Sequence, residues 1–272
     1  MVAIEVCRGT HSTSTDEELS AAVSALLLRL KAARSVPFVE GEVVNVSSDM
    51  DLAGHVSHLR VCDVEASGEH IYVHTLDDEE PAEETTEGGD GDTVAFQMWS
   101  LPSTQFDGLW ESLLFDEEEA QLKRNLLRYV ETAMHFSDVG VDPRIISCNR
   151  LVMLHGPPGT GKTSICKGLA QKLAIRLGRR YPLAHLIEVN AHSLFSKWFS
   201  ESGKMVMGMF QRITEMLEDG DALVCVLIDE VNLSHRQMKW RGGGGSRWLV
   251  RCYRTGLSGV AFRGSFAWVH QS

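Results

Sequence analysis

Residues 150–163 read Arg-Leu-Val-Met-Leu-His-Gly-Pro-Pro-Gly-Thr-Gly-Lys-Thr. An apolar run passes directly into a glycine-rich loop that ends on a lysine and a hydroxyl. Gly156, Gly161, Lys162 and Thr163 stand at the fixed positions of G-x-x-x-x-G-K-[ST]. Glycines let successive N–H groups turn inward on an anion. Lys162 brings a point charge to the β- and γ-phosphates, and the Thr163 hydroxyl is a hard-oxygen ligand for Mg2+. Ile165, Leu169, Leu173 and Leu177 then recur every fourth residue, which predicts a helix whose positive end falls at the same point. A glycine turn with an incidental lysine would not need a strand before it and a helix after it. The loop is therefore read as a nucleotide phosphate site built from Gly156, Pro157, Pro158, Gly159, Thr160, Gly161, Lys162, Thr163 and Ser164.

Downstream, Ala184–Asn190 reads as a second strand, residues 191–203 as a loop holding Phe195, Trp198 and Phe199, and the stretch from Met205 to Leu217 as an amphipathic helix. Leu223–Ile228 is a fully apolar third strand that ends in Asp229–Glu230, 67 positions after Lys162. Such a strand carries Asp229 to the Mg2+ side of a bound nucleotide, where Glu230 can polarise the attacking water as general base. An apolar strand ending in acids is weak evidence alone. Behind a phosphate loop, with one strand intervening, it is the second half of an ATP site. The Asp-Glu pair also speaks against a kinase acting on a small acceptor.

With 272 residues, the chain has room for about two domains. A net charge of −11 makes a general nucleic-acid binder unexpected. No run approaches the roughly 18 apolar residues of a membrane span, and the first 30 residues do not read as a signal peptide. The six cysteines, at 7, 62, 148, 166, 225 and 252, form no C-x-x-C pair and read as reduced thiols of a cytosolic or nuclear protein.

Upstream, residues 2–7 suggest a strand. Thr15 and Glu18 have the spacing of a capping box, and Leu19, Ala22, Val23, Leu26, Leu27 and Leu30 mark one face of a helix ending near Arg34. Segments 56–64 and 70–76 are expected to pair as a hairpin through Ala66–Ser67–Gly68. His55, His58, His70 and His74 are read as ordinary surface or packed histidines rather than metal ligands. Residues 77–92 hold nine acids and no Lys or Arg, which predicts a solvated loop. Val94–Leu101 is expected to be the last strand of this region. A longer helix is predicted over 116–136, with Leu122, Leu126, Leu127, Val130, Ala133 and Met134 on one face.

Gly156–Thr163 as GPPGTGKT, with Leu227–Glu230 as LIDE, resembles the AAA+ ATPases. Residues 186–204, LIEVNAHSLFSKWFSESGK, resemble the pachytene checkpoint protein 2 family, the thyroid-hormone-receptor-interacting AAA+ ATPases. The likeness continues through Leu109–Trp110 and Phe136–Ser137–Asp138, and covers about residues 1–231. It implies ATP and Mg2+ as cofactors, Lys162 and Glu230 in catalysis, and Thr163 and Asp229 on the metal. It also implies a homo-hexameric ring that remodels HORMA-domain proteins, delivered in some cases by a HORMA-like adaptor, in meiotic chromosome-axis control and the spindle checkpoint. The expected setting is the nucleus and cytoplasm, with no membrane partner. Trp198 and Phe199 would face the central pore and grip the client chain, the plain alternative being that they pack in a core.

The resulting expectation is an α/β P-loop AAA+ core behind a small α+β amino-terminal domain. Residues 1–101 form a client- and adaptor-docking domain with an acidic loop at 77–92. Residues 102–149 form a helical lead-in, 150–231 a partial ATPase subdomain, and 232–272 a divergent tail. That tail holds seven Lys or Arg, no acid, four consecutive glycines at 242–245 and three of the six tryptophans. The family pattern of sensor residue, arginine finger and helical lid is not recognisable in it. The chain is accordingly read as truncated after Asp229–Glu230, with the phosphate-loop strand lacking both neighbours of the family's 5-1-4-3-2 strand order. Tail segments 247–253 and 259–269 are the candidates to replace them. The alternative function is a hydrolysis-deficient protein that only binds client or adaptor.

Overall fold

The computed structural model describes residues 2–47, 49–64, 68–86, 93–115, 117–142, 145, 151–156, 159–190, 211, 214–215, 222–229, 246–254 and 267–268. Pro157, Pro158, Trp198, Phe199, Glu230 and most of the expected helix over 205–217 lie outside the described residues. The chain divides into two compact units, residues 1–78 and 79–272.

In the first unit, β1 (Ala3–Arg8) leads through a polar turn to α1 (Asp16–Ala33). The expected capping box is formed: Glu18 N donates to Thr15 Oγ1 at 3.2 Å, and Thr15 N donates to Glu18 Oε2 at 2.8 Å. Three acids in the first turn favour the same helix end. Leu19, Val23, Leu26 and Leu27 bury one face against Ile4 and Val6 of β1 and against the strands that follow. Those strands are β2 (Val43–Val44), β3 (Val56–Asp63) and β4 (His70–His74).

β3 and β4 do not form the expected hairpin. The sheet order is β2-β3-β1-β4, with β1 antiparallel to β3 and parallel to β4. β1 takes the central place because all of its residues from Ala3 to Cys7 are buried; a strand buried on both faces belongs inside a sheet, not at its edge. The histidines have other occupations. His55 Nδ1 lies 3.3 Å from Ser12 Oγ and 3.2 Å from Ser14 Oγ, and His70 stacks on Tyr72 with ring centres 6.3 Å apart. Among the described residues no group of three or more His, Cys, Asp or Glu is placed to hold a metal ion.

The second unit comprises β5 (Ala82–Thr86), β6 (Thr93–Leu101), a 3-10 turn at Thr104–Phe106, α2 (Leu109–Ser112), α3 (Glu117–Asp138), β7 (Leu151–Gly156) and α4 (Lys162–Leu177). β8 (Leu183–Asn190), β9 (Ala222–Asp229), β10 (Ser246–Arg254) and β11 (Ala267–Trp268) follow. The strands form one seven-stranded sheet in the order β11-β7-β10-β9-β8-β6-β5.

Two expectations change here. The boundary expected at 101 falls after Asp78 instead, because β6 pairs antiparallel with β8, Trp99 opposite Leu186 and Leu101 opposite Ala184. Trp99 and Leu101 are buried in the same core as Leu186, so this strand follows its apolar face into the larger sheet. The acidic stretch is not loop throughout: Ala82–Thr86 pairs with β6, and Gln97 Nε2 donates to Glu83 Oε1 at 2.8 Å. Edge pairing uses only backbone groups, so the Glu83 side chain stays exposed to water.

The phosphate-loop strand does have neighbours. β10 lies between β7 and β9 and runs antiparallel to both, and β11 pairs parallel with β7 on its other side. The tail thus fills both places that the family order leaves open.

α4 is buried on most of its circumference. Ile165, Leu169 and Leu173 pack toward Val152, Leu154, Leu223, Cys225 and Leu227 in one cluster with Leu126, Leu127, Val130 and Met134 of α3. Polar ties hold this helix at several points. Ser103 N donates to Gln171 Oε1 at 2.9 Å and Gln171 Nε2 to Ser103 O at 3.0 Å. Lys172 pairs with Glu111 at 2.5 Å, Arg176 with Glu131 at 3.0 Å, and Lys167 with Glu188 at 2.7 Å. At the end of α3, Asp138 accepts from the Tyr181 hydroxyl at 2.6 Å. Cys7, Cys62, Cys166 and Cys225 are buried.

Candidate functional site

The apolar β7 delivers the chain into the glycine loop, and the loop's turns are of the kind that glycine permits. Gly159 has φ 80° and Gly161 has φ 76°, in the left-handed region where a Cβ is strained. Gly161 caps α4 without a side-chain hydrogen bond, and the first intrahelical bond runs from Ile165 N to Gly161 O at 2.8 Å. The first-turn N–H groups of Lys162, Thr163 and Ser164 therefore point back into the loop.

The amino-terminal ends of α1 and α4 have opposite electrostatics. The N-terminal end of α1 is occupied by a capping box and Asp16, Glu17 and Glu18; the first turn of α4 contains no acid and no side-chain cap. An uncapped, unopposed helix end is suited to an exogenous anion. Lys162 is 7% exposed, and its ammonium donates to Thr160 Oγ1 at 3.1 Å, which holds the charge over the loop. Thr163 and Ser164 are half-buried at the helix start.

Asp229 comes to the same edge of the sheet. Leu249 of β10 is opposite Met153 on one side and Ile228 on the other. The next residue of β9, Asp229, thus ends its strand near the level at which β7 enters the loop, two strand spacings or about 10 Å away. Asn190 ends β8 opposite Asp229. The carboxyl ends of β7, β8 and β9 therefore share one edge, the side on which α/β sheets bind ligands. Ser246, the first residue of β10, is opposite Gly156, so its antiparallel strand brings its amino end to that edge. Gly156, Gly159, Thr160, Gly161, Lys162, Thr163, Ser164 and Asp229 are gathered here.

The support behind the loop comes from α2 and α3, elements that the loop motif itself does not reveal. Gly168 meets Trp110 of α2, and the would-be Cβ of Gly161 meets Leu113 Cδ2 at 3.7 Å. Lys123 donates to Trp110 O and holds its ammonium 4.9 Å from the Trp110 ring centre. A signal was available: Gly168 stands in the interior of a helix, where glycine is unfavourable unless something packs closely against it. Leu114, next to Leu113, is 91% exposed.

The family model described as "ATPase family associated with various cellular activities (AAA)" matches residues 152–247, reaching beyond the residue 231 at which the sequence resemblance ended. The pachytene checkpoint protein 2 homologue of Oryza sativa subsp. indica is 48% identical over 85% of this chain and 50% of its own length. The Homo sapiens homologue is 44% identical over 85% of this chain and 54% of its own length. The chain belongs to the pachytene checkpoint protein 2 family. A solved structure of PCH-2 from C. elegans is similar in fold, with a TM-score of 0.67 and 34% identity, covering 85% of this chain and 58% of that one. The chain spans about half the length of the curated relatives it matches. The region matched by the AAA family model contains the phosphate loop and strands that frame it.

Proposed function

We propose that this chain binds ATP with Mg2+ and hydrolyses it to remodel HORMA-domain proteins, as one subunit of a hexameric ring acting in the nucleus and cytoplasm. The observation that supports the reading best is the joint geometry of the loop and β9: a buried lysine and two left-handed glycines at an uncapped helix end, with Asp229 on the same sheet edge.

The residues fit a nucleoside triphosphate and its metal. The α4 amide groups and Lys162 would bind the β- and γ-phosphates, and Thr163 and Asp229 would hold Mg2+, which neutralises charge on the phosphate oxygens when bound. Glu230 accepts a proton from water as its oxygen bonds to the γ-phosphorus. The bond from that phosphorus to the β,γ-bridging oxygen breaks, and ADP leaves. Residues 1–78 take the role of docking client or adaptor, and Trp198 and Phe199 that of gripping the client in the pore.

A second reading, binding without turnover, is favoured by β10. Because it runs against β7 and β9, it brings its first residues rather than its last to the nucleotide edge, which alters the groups beside the γ-phosphate. Titration of an ATP analogue on the 272-residue chain, followed by steady-state hydrolysis, tests both. Saturable binding lost in Lys162→Ala supports the nucleotide site, and turnover lost in Glu230→Gln supports hydrolysis. ATP-analogue binding with no turnover selects the second reading, and no nucleotide binding by folded protein overturns the ATPase reading and leaves client or adaptor docking alone.

A further inference from the structure

β4 is the outer strand of the first unit's sheet. His70 N donates to Val2 O at 3.4 Å, and β4 runs parallel to β1 with Glu5 opposite Tyr72 and Cys7 opposite His74. Backbone polar groups alternate sides along a strand, so those of His70, Tyr72 and His74 are directed at β1, and those of Ile71 and Val73 at the sheet's outer edge. Both of these side chains pack against the unit's core, which fixes the strand.

Proteins guard such edges with brevity, charge, proline or bulges. Two other edges in this chain follow that rule. β2, at the opposite edge of the same sheet, has two residues, and β5 of the second unit carries Glu83 and Glu84. β4 reads His-Ile-Tyr-Val-His, five residues without Lys, Arg, Asp, Glu or Pro. Acids lie at both of its ends, Glu69 before it, which pairs with Lys31 at 2.9 Å, and Asp77 and Asp78 after it, in a unit that holds 13 Asp or Glu against five Lys or Arg.

We propose that β4 receives an extended segment of a partner protein as an added strand, and that this segment carries alternating β-branched residues flanked by Lys or Arg. The main-chain pairing supplies affinity and the acidic ends select a basic occupant. The inference rests on the docking role proposed for this unit and specifies its mode.

The experiment uses the full chain and a peptide of about nine residues, alternating valine and threonine with two basic residues at each end. Hydrogen exchange is followed at single amides. The expected result is saturable binding that slows exchange of the Ile71 and Val73 amides by about tenfold or more, with little change at Tyr72, already bonded to β1. A peptide N-methylated at alternate amides should not bind, and one with glutamates for the basic residues should bind about tenfold more weakly or worse. Val73→Pro, which removes an edge donor, should abolish binding; if that variant fails to fold, the exchange pattern of the unaltered chain decides. Equal binding of the N-methylated or acidic peptide overturns the proposal, as does protection that grows with chain concentration in the absence of peptide. A HORMA-domain client that binds while Ile71 and Val73 exchange as before overturns strand addition and leaves the docking role intact; a chain that binds the peptide at this edge but no client overturns the docking role alone.

Discussion

Gly168 of α4 lies so close to Trp110 of α2 that a Cβ at this position would stand 3.1 Å from the indole Cε3 and 3.4 Å from the Trp110 Cα. Glycine here allows α2 to rest directly on the phosphate-loop helix, with Leu113 brought beside Gly161. Gly168→Val therefore overfills a closed contact and should cost about 1–3 kcal/mol. Because α2 must shift, ATP-analogue affinity should fall as well. A urea midpoint and a binding titration on the same sample test this, and a variant with both unchanged would refute the contact's role.

The Glu111–Lys172 pair gives a separate handle on the same helix. The Lys172 side chain is 3% exposed and that of Glu111 is 16% exposed, so removing the acid leaves a buried ammonium short of its counter-charge. Glu111→Ala should destabilise the second unit by roughly 3 kcal/mol, and Glu111→Gln, which keeps an acceptor in place, by less. Equal midpoints for the two variants would show that charge is not what matters here.

Acid should weaken the first unit in a defined direction. The Thr15 backbone N–H, and next its hydroxyl, hold Glu18 below its ordinary value of 4.5, assisted by the charge of His55 and opposed by desolvation. The Arg34 guanidinium, chiefly, does the same for Glu42. A carboxylate with a depressed folded-state value contributes stability that is complete above the ordinary value and is lost as pH falls through the folded one. Exchange of the Leu26 and Leu27 amides should thus reveal a loss of stability below about pH 4.5 that is smaller when Glu18→Gln and Glu42→Gln are combined. An identical pH response in the double variant would remove these two groups as its source.

β10 can be tested by proline. Val250 pairs with Val152 of β7 and Leu227 of β9, and a proline in a central strand breaks a ladder, at about 3 kcal/mol or more. Val250→Pro should abolish ATP-analogue binding and lower the melting temperature. Nucleotide binding that survives this change would mean that β7 and β9 hold the site without β10.

The regions of the fold that could be read from the sequence are those set locally. The Thr15–Glu18 box, the stripe from Leu19 to Leu27 and the loop from Gly156 to Thr163 each declare themselves within a few turns of chain. Strand partners do not. Nothing local in 93–101 says that Trp99 will face Leu186, and nothing in 56–76 says that β1 will come between β3 and β4, which look made for a hairpin. The choice is set by which strand is most completely buried, a property of the assembled sheet. The same holds at the site: the glycines and Lys162 are legible, whereas the ties from Ser103, Trp110 and Glu111 depend on elements distant in sequence.

The placement of β10 also orders the birth of the molecule. β7 leaves the ribosome about a hundred residues ahead of β10, and neither of β7's sheet neighbours precedes it in the chain. Until Ser246–Arg254 emerges, the phosphate-loop strand lacks both of the neighbours it has among the described strands, while β8, β9 and β6 can already associate. Such a nascent chain would expose an apolar strand until β10 is made, so the phosphate loop gains its support only late in synthesis.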